Sequence, residues 1–458
     1  MFIGREKEIE AVVDFLTSKG SMLIYGLRRV GKTSLIKHVL SSNNHKYIYF
    51  ECIKASEEEN VSLFVNLLKE QLGFVDASFL TFSSVFKLLN TQYPDYVVVI
   101  DEYSYLKQFY LESKKSGYKE RAETLDSEFQ NIIDEFSSNL NIILSGSSIN
   151  IMKNLLEHRN PLYGRFKKVI NLKQFNYLET KKLLNKLSNK DVIAFYSVFG
   201  GSPHVLTKID QSKDLRTNIT NLLLDEYGEL KNHINSNVLS ELDNDPELHD
   251  VLNAIKNGCK KYKEIEDKSH ITTSGLLDKK LKKLISLDIL EEYYPINYQH
   301  DKTKKYYRIK DNLLKFYYAY IFREENTISL LSKEKFYETK IEPSITTFIS
   351  LRFENIVKDY FSIAFSKGMY KDYVDIGSYF TSNSEFDCVI KKKDKKYIVY
   401  EAKYYSNPID EKIIQTELKQ IQDIKGIDVD EIGFVSSSGY KSILKGIKYL
   451  ELKDIFFE

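Results

Sequence analysis

The spacing of two glycines and a lysine near the amino terminus constrains this chain more than any other feature. The apolar run Met22–Tyr25 predicts a buried strand, and the sequence GLRRVGKTS follows it. Glycines let the backbone wrap closely around phosphate oxygens, Lys32 neutralises β- and γ-phosphate charge, and the Thr33 hydroxyl can ligate Mg²⁺. We therefore predict a nucleoside triphosphate site with Mg²⁺. Its expected contact residues are Gly26, Leu27, Arg28, Arg29, Val30, Gly31, Lys32, Thr33 and Ser34.

A second apolar run ends in two carboxylates roughly 70 residues after the glycine-rich loop. The β-branched run that ends at Ile100 is typical of a central parallel strand buried on both faces. Asp101 and Glu102 follow it, and parallel sheets place their ligand sites at such carboxyl ends. We expect Asp101 to contribute to the Mg²⁺ site with Thr33, and Glu102 to polarise the attacking water.

Three further features leave alternatives open. Ser147 follows a predicted strand, where its hydroxyl can bond a γ-phosphate or the lytic water, or simply form a turn. Arg165 is a candidate for stabilising transition-state charge, although an isolated surface arginine is the simpler interpretation. The segment Phe2–Glu6 can cover an adenine base or serve as an amino-terminal strap on the core.

Length and composition limit the classes of protein that this chain can form. Its 458 residues predict two to four domains, and 42% apolar residues allow proper cores. A net charge of +1 excludes an overall electrostatic grip on nucleic acid, so any contact needs a local patch. Three widely spaced cysteines fit a reducing compartment and no metal site, and no apolar run predicts a membrane span. We expect a cytoplasmic protein with no membrane contact.

Several motifs of the first half, in order, resemble the archaeal-type ATPases of the AAA+/STAND group. They are FIGREKEIE, GLRRVGKT, VVVIDEYSYL, ILSGSS, PLYGRF and FGGSP. The resemblance implies ATP as the nucleotide, with Gly4 and Arg5 near the adenine and Ser147 near the γ-phosphate. It also implies that Arg165 is a sensing or finger arginine, in its own subunit or a neighbour's, which raises the possibility of a homo-oligomer. It further implies that the segment containing Pro203 opens a helical lid.

The middle of the chain predicts a winged helix-turn-helix. Asp243–Pro246 is a strong break, followed by three helical segments and two strands, Ile289–Tyr294 and Tyr306–Ile309. Residues 251–310 carry 14 Lys or Arg against 8 Asp or Glu, with four lysines on the third helix and more in the wing, Lys302 among them. This local charge favours DNA phosphates, without side chains that suggest base reading. The alternative is a module used for packing within the protein.

The carboxyl-terminal segment predicts a metal-dependent nuclease site. Glu401 and Lys403 share one face of a strand, and a lysine-rich turn joins that strand to the one carrying Asp387. With Glu354 on a preceding helix, this arrangement resembles the PD-(D/E)xK nuclease superfamily. The resemblance implies Mg²⁺ ligation by Glu354, Asp387 and Glu401 and a catalytic role for Lys403. Asp375 is an alternative ligand and Gln420 a possible helix contributor; a nuclease-like fold without cleavage remains the alternative.

Together these features predict an α/β protein. We expect a P-loop parallel-sheet ATPase core at 1–172, a helical lid at 173–242, an α+β winged helix-turn-helix at 243–325 and an α/β restriction-endonuclease-like domain at 326–458. The predicted function is an ATP- and Mg²⁺-dependent switch that acts on DNA. The alternative function is a non-cleaving regulatory or DNA-binding adaptor.

Overall fold

The computed structural model forms two compact units, Met1–Gln174 and Phe175–Glu458. It describes residues 2–73, 81–113, 115–231, 234, 242, 245–271, 273, 275–298, 301, 304–380, 385–422, 424 and 426–457, and only the backbone of residue 387. Along this described chain, no helix combines the length and apolar character that crossing a membrane requires.

The first unit is built on a parallel sheet of five strands in the order β2-β3-β4-β1-β5. Its strands are β1 (Gly20–Tyr25), β2 (Tyr47–Glu51), β3 (Val97–Asp101), β4 (Asn141–Gly146) and β5 (Lys168–Asn171). Every residue of β1, β3 and β4 is buried, as expected for central strands covered on both faces. Because β1 and β3 both neighbour β4, the carboxyl ends of these three strands meet at one edge.

Seven helices cover the two faces of this sheet in the described part of the first unit. They are α1 (Glu6–Leu16), α2 (Lys32–Ser42), α3 (Glu57–Leu72), α4 (Phe82–Gln92), α5 (Tyr103–Glu112), α6 (Tyr118–Phe136) and α7 (Ile149–Asn154). Alternate strand residues point to opposite faces, so Val97 and Val99 pack with α1 and α2, whereas Val98 and Ile100 pack with the remaining helices.

The second unit begins with short helices and continues into three helices and a hairpin. The helices are α8 (Tyr177–Leu183), α9 (Asn189–Phe199), α10 (Pro203–Leu206), α11 (Leu215–Ile219), α12 (Pro246–Lys256), α13 (Tyr262–Ser269) and α14 (Leu276–Ser286), with a π-helical turn at Thr220–Leu224. The antiparallel hairpin consists of β6 (Leu290–Tyr293) and β7 (Tyr306–Ile309). The helix–helix–helix–hairpin order expected from the sequence is therefore present.

A second five-stranded sheet, in the order β12-β11-β10-β9-β8, completes this unit. Its strands are β8 (Tyr373–Phe380), β9 (Glu385–Lys392), β10 (Tyr397–Lys403), β11 (Val429–Ser436) and β12 (Ile447–Glu451). The pairs β8–β9 and β9–β10 are antiparallel, whereas β10–β11 and β11–β12 are parallel. The remaining helices are α15 (Asn312–Tyr320), α16 (Glu325–Leu330), α17 (Lys333–Phe336), α18 (Glu342–Ser366), α19 (Glu411–Gln422) and α20 (Leu452–Ile455), with a π-helical turn at Tyr337–Ile341.

The two long helices cover opposite faces of this sheet. Phe361 of α18 packs on Tyr400 of β10, with ring centroids 4.4 Å apart. Ile421 of α19 joins the apolar cluster that contains Val399, the neighbouring residue on β10. Because adjacent strand residues point to opposite faces, the alternation along β10 decides which helix each side chain meets.

Of the three predicted domain boundaries, only the first lies close to the division between the two units. The first unit ends at Gln174, two residues beyond the predicted end of the ATPase core. Apart from residues 173 and 174 of the predicted lid, the three other predicted domains lie within the second unit. The predicted break at Asp243 and Asn244 lies outside the described residues, and the boundary between 325 and 326 falls inside α16.

Candidate functional site: a P-loop and an acidic strand end

The loop between β1 and α2 has the backbone that its glycines predict. A Cβ atom added at Gly26 would lie 2.2 Å from the carbonyl oxygen of Leu172, so only glycine fits there. Gly31 has φ +97°, and a Cβ there would meet no atom within 4 Å. Gly31 immediately precedes α2, whose first residue is Lys32. The amino terminus of an 11-residue helix therefore faces the loop.

Lys32 lies folded against this loop. Its Nζ donates hydrogen bonds to the carbonyl oxygens of Gly26 at 3.0 Å and Leu27 at 3.1 Å, and the residue is 5% exposed. Burial lowers the pKa of the Lys32 ammonium from its ordinary value, while the negative charges of Glu102 and Asp101 oppose that shift. A buried cation aimed into a glycine-rich loop is suited to neutralise phosphate oxygens.

The other predicted loop residues occupy different environments. The Arg28 guanidinium lies 5.4 Å from the centre of the Tyr105 ring, a cation–π contact, and Arg29 has a left-handed backbone with φ 67°. Val30 is buried, whereas Ser34 is exposed on α2. Tyr105 was not predicted from the sequence as part of the site. Tyr105 lies three residues after Glu102, in the first turn of α5, and its contact with Arg28 joins the acidic strand end to the loop.

Asp101 joins the strand end to the loop. Its Oδ2 accepts the Thr33 hydroxyl at 2.8 Å and also the Tyr49 hydroxyl, while its Oδ1 accepts the backbone N–H of Glu102 at 2.9 Å. Burial, followed by the charge of Asp101, raises the pKa of Tyr49 well above its usual range, so this hydroxyl stays a donor. Asp101 and Thr33, the two residues expected to serve one Mg²⁺ site, are thus in direct contact.

Glu102 lies directly after β3 in a left-handed conformation with φ 50°. Its Oε2 accepts the Ser147 hydroxyl at 2.7 Å, the Ser147 backbone N–H at 3.0 Å and the Ser104 hydroxyl at 3.3 Å. A non-glycine residue with positive φ stores backbone strain, and such residues cluster at functional sites. The structure therefore brings Glu102 and Ser147, two of the candidate site residues, into direct contact.

The amino-terminal segment holds the loop from the other side. Arg5 is 3% exposed, and its Nη2 donates to the carbonyl oxygen of Val30 at 3.2 Å and to that of Lys173. Gly4 has φ 72°, and the Phe2 ring stacks on His38 of α2 at 4.4 Å. These contacts agree with a strap on the core, and they also place Arg5 against the nucleotide loop.

Arg165 lies far from this loop. Its Nε donates to both carboxylate oxygens of Asp134, at 3.0 and 3.1 Å, and its carbonyl oxygen accepts the Ser21 hydroxyl at 2.7 Å. Ser21 is near the amino end of β1, and the loop begins after Tyr25 at the other end. Four strand residues span about 13 Å, so this arrangement does not bring Arg165 to the loop of its own chain, and its role as a finger arginine stays a prediction.

Pro203 occupies the first position of the short helix α10 in the second unit. Proline suits this position because its missing N–H has no helical partner there.

The predicted nuclease residues are only partly brought together. Lys403 Nζ contacts Glu401 at 3.3 Å and Glu417 of α19 at 2.7 Å. Burial alone would lower the pKa of Lys403, but the two carboxylates outweigh it and raise that pKa, so the side chain stays a cation. Glu417 was missed in the sequence, although it lies three residues after the buried Ile414 on the same helix face.

The remaining predicted ligands lie elsewhere or outside the described part. Helix α18, which carries Glu354, packs on the face of Tyr400, opposite to the face of Glu401. The side chain of Asp387 lies outside the described residues; continuing the β9–β10 register places its backbone beside Glu401. Asp375 accepts the N–H of Ile376 at 2.8 Å, and Gln420 is exposed. Among the described side chains, no group of three or more His, Cys, Asp or Glu is arranged to hold a metal ion.

The lysines of α14 are largely paired with carboxylates. Lys280 contacts Asp245 and Glu247, and its side chain is 13% exposed. Lys283 contacts Asp245 at 3.5 Å, and Lys282 contacts Asp278 at 2.6 Å. In the predicted wing, Lys305 contacts Glu292 at 2.9 Å and Lys302 lies outside the described residues. The positive charge counted in the sequence is therefore partly neutralised within the unit.

The loop, the acidic strand end and the parallel sheet together define a P-loop ATPase. Residues 2–209 match a family described as an ATPase domain predominantly from Archaea. Residues 317–420 match a second family, described as archaeal and bacterial proteins of unknown function.

Individual proteins extend the comparison beyond these two segments. An uncharacterized protein of Methanocaldococcus jannaschii is 26% identical over an alignment of 444 residues, and the alignment covers 93% of this chain and 93% of that protein. The structure of a Walker-type ATPase of Pyrococcus abyssi aligns with a TM-score of 0.52 and 20% identity, covering 69% of this chain and 96% of the other. The ORC2 protein of Aeropyrum pernix, solved in ADPNP–ADP complexes, aligns with a TM-score of 0.43 and 12% identity, over 72% of this chain and 94% of its own.

Proposed function

We propose that this chain is a nucleotide switch that hydrolyses ATP with Mg²⁺ at the loop 26–34 and acts on DNA through its second unit. One observation carries the first part: Asp101 and Glu102 end a central strand beside the loop, and each is held by hydroxyl donors in a fixed orientation. Fixed carboxylates at this position suit metal orientation and proton abstraction.

The residues present fit a triphosphate and a divalent cation. A side chain at Gly26 would clash with the backbone of Leu172, Gly31 has a positive φ that favours glycine, and Lys32 supplies a buried cation. Thr33 and Asp101 supply the oxygen ligands and water partners that magnesium prefers. When bound, Mg²⁺ would neutralise charge on the β- and γ-phosphate oxygens.

Different side chains of the site have different roles in the proposed hydrolysis. Lys32 and the loop N–H groups hold the phosphates, and Asp101 orients the Thr33 hydroxyl. Because three hydrogen bonds converge on Oε2 of Glu102, we assign Oε1 to the attacking water, whose proton it accepts. Ser147 fixes the carboxylate, so the base does not reorient during the reaction.

For the second unit we propose a nuclease-like function centred on Glu401 and Lys403. The support is the mixed sheet that places these two side chains on one face, with Lys403 held between Glu401 and Glu417. A cation held in this way can neutralise charge on a phosphate under attack. The competing function is a DNA-binding adaptor without cleavage. Lys280 and Lys283 of α14 already contact a carboxylate, so they are less suited to bind DNA phosphates strongly.

One cleavage assay separates these functions. Linear and circular DNA are incubated with the full chain and Mg²⁺ or Mn²⁺, with and without ATP. Cleavage that is lost in Asp387→Ala and Lys403→Ala, but kept in Lys32→Ala, assigns the chemistry to the second unit. Asp394→Ala, in the turn after β9, is the matched control and should cleave normally. No cleavage under any of these conditions supports the adaptor.

A further inference from the structure

Tyr49 reaches the acidic strand end from the neighbouring strand β2. The parallel register pairs Tyr49 with Val99 and Glu51 with Asp101, so Asp101 lies two residues further along β3. Residues two apart share a face, so Tyr49 and Asp101 project from the same side of the sheet. Such a diagonal separation, about 7–8 Å, is within reach of an aromatic side chain.

The Tyr49 hydroxyl completes the set of donors around the Asp101 carboxylate. Tyr49 and Thr33 both donate to Oδ2, and the backbone N–H of Glu102 holds Oδ1 at 2.9 Å. These three donors come from three different segments, so together they fix the rotation of the Asp101 carboxylate. A phenylalanine at position 49 would keep the ring packing but would remove one of the two donors from Oδ2.

We infer that Tyr49 is a positioning residue for the magnesium site, which it acts on through Asp101 and Thr33. The inference rests on the proposed role of Asp101 in holding Mg²⁺. Since the Thr33 hydroxyl donates its proton to Asp101, its oxygen lone pairs are left pointing away from the carboxylate and are available to a cation. Tyr49 fixes the carboxylate that sets this direction, so its hydroxyl determines how well the site accepts the metal.

The ring of Tyr49 has a second contact that a substitution must preserve. Lys37 of α2 lies with its Nζ 4.4 Å from the ring centre. Tyr49→Phe keeps this cation–π contact, so the variant isolates the hydroxyl. Tyr47, two residues earlier on the same strand face, packs against the same apolar cluster and provides the matched control Tyr47→Phe.

The test measures binding of a fluorescent methylanthraniloyl derivative of ATP to the full chain, in Mg²⁺ and in EDTA. Tyr49→Phe should weaken binding about five- to tenfold in Mg²⁺, which corresponds to one lost hydrogen bond, and should leave binding in EDTA unchanged. The Mg²⁺ concentration for half-maximal ATP hydrolysis should rise by a similar factor. Tyr47→Phe should match the wild type in both assays.

A double variant separates positioning from general weakening of the fold. In an Asp101→Asn background, Tyr49→Phe should cause no further loss of Mg²⁺-dependent binding, because its only route to the metal is already removed. Equal losses in Mg²⁺ and EDTA, or binding equal to the wild type, overturn the inference while leaving the proposed ATPase intact. A wild-type chain whose nucleotide binding and ATP hydrolysis are both independent of Mg²⁺ overturns the inference and the proposed Mg²⁺-dependent ATPase together.

Discussion

The Ser147 hydroxyl and the Ser147 backbone N–H both donate to one oxygen of Glu102, Oε2, at 2.7 and 3.0 Å. Ser147 follows β4 and Glu102 follows β3, so two adjacent strands fix the orientation of one carboxylate. A carboxylate held at one oxygen presents its other oxygen in a constant direction. This relationship makes Glu102, rather than Asp101, the residue that we expect to act on water.

The variant Glu102→Gln tests this assignment. It keeps the shape of the side chain but removes its basicity, so we expect kcat for ATP hydrolysis to fall about 10²- to 10⁴-fold with little change in KM. Steady-state phosphate release measures both constants. Glu51→Gln, at the exposed end of β2, is the matched control and should stay close to the wild type. An equal loss in both variants would show that the effect comes from general charge.

The position of Arg165 predicts how hydrolysis depends on protein concentration. Its guanidinium is bonded to Asp134 of α6, and its carbonyl oxygen accepts the Ser21 hydroxyl near the amino end of β1. Arg165→Ala should therefore leave the ATP affinity of a single subunit unchanged. Any part of the rate that needs Arg165 should then come from a neighbouring subunit and rise with protein concentration. An Arg165-dependent rate per subunit that stays constant on dilution contradicts this geometry.

Two neighbouring lysines on α14 should contribute to different properties: Lys280 to stability and Lys279 to DNA binding. Lys280 is nearly buried between Asp245 and Glu247, so Lys280→Ala should lower the free energy of unfolding by about 1–3 kcal/mol, because two carboxylates lose their partner. Lys279 is exposed, and Lys279→Ala should instead weaken DNA binding and reduce its salt dependence. Chemical denaturation and salt titrations of DNA binding measure the two effects. Unchanged DNA binding by Lys279→Ala would contradict a DNA contact at this face of α14.

Lys315 predicts a pH dependence of stability in the second unit. Burial lowers its pKa to about 7, and the positive charges of Arg352 and Arg308 act in the same direction against Glu291 and Asp311. Because the unfolded chain binds this proton more tightly, the free energy of unfolding should rise with pH above 7, by at most about 1.4 kcal/mol per pH unit. Denaturation at pH 7 and pH 9 measures the rise.

Variants at this position identify the lysine as the cause. Lys315→Met should be more stable than the wild type at pH 7 and should lose most of the rise toward pH 9. Lys310→Met, which removes a lysine paired with Asp288, is the control and should keep the rise. A wild-type rise that persists in Lys315→Met would assign it to another group.

The parts of the site that depend on local sequence could be predicted. The two glycines, Lys32 and Thr33 act within one loop, and the apolar runs before Gly26 and Asp101 indicate buried strands without knowledge of their neighbours. The end of β3 was predicted correctly because every residue from Val97 to Ile100 is apolar and both faces are covered.

The contacts that depend on distant residues could not be predicted in this way. Tyr49 meets Asp101 only through the β2–β3 register, which the sequence of neither strand specifies. The spacing of the α14 lysines suggests that they are exposed and free to bind phosphates. Asp245, which directly precedes α12, neutralises two of them. Arg165 lies in the motif PLYGRF, whose resemblance implies a finger arginine. Only its contact with Ser21 shows which end of the sheet it occupies.

The most direct test of the central claim is ATP binding and phosphate release by the full chain with Mg²⁺, compared with Lys32→Ala. We expect Mg²⁺-dependent hydrolysis by the wild type and loss of both binding and hydrolysis in Lys32→Ala. Lys69→Ala on α3 is the control and should behave as the wild type. Hydrolysis by Lys32→Ala at the wild-type rate would contradict the assignment of the loop 26–34 as the ATP site.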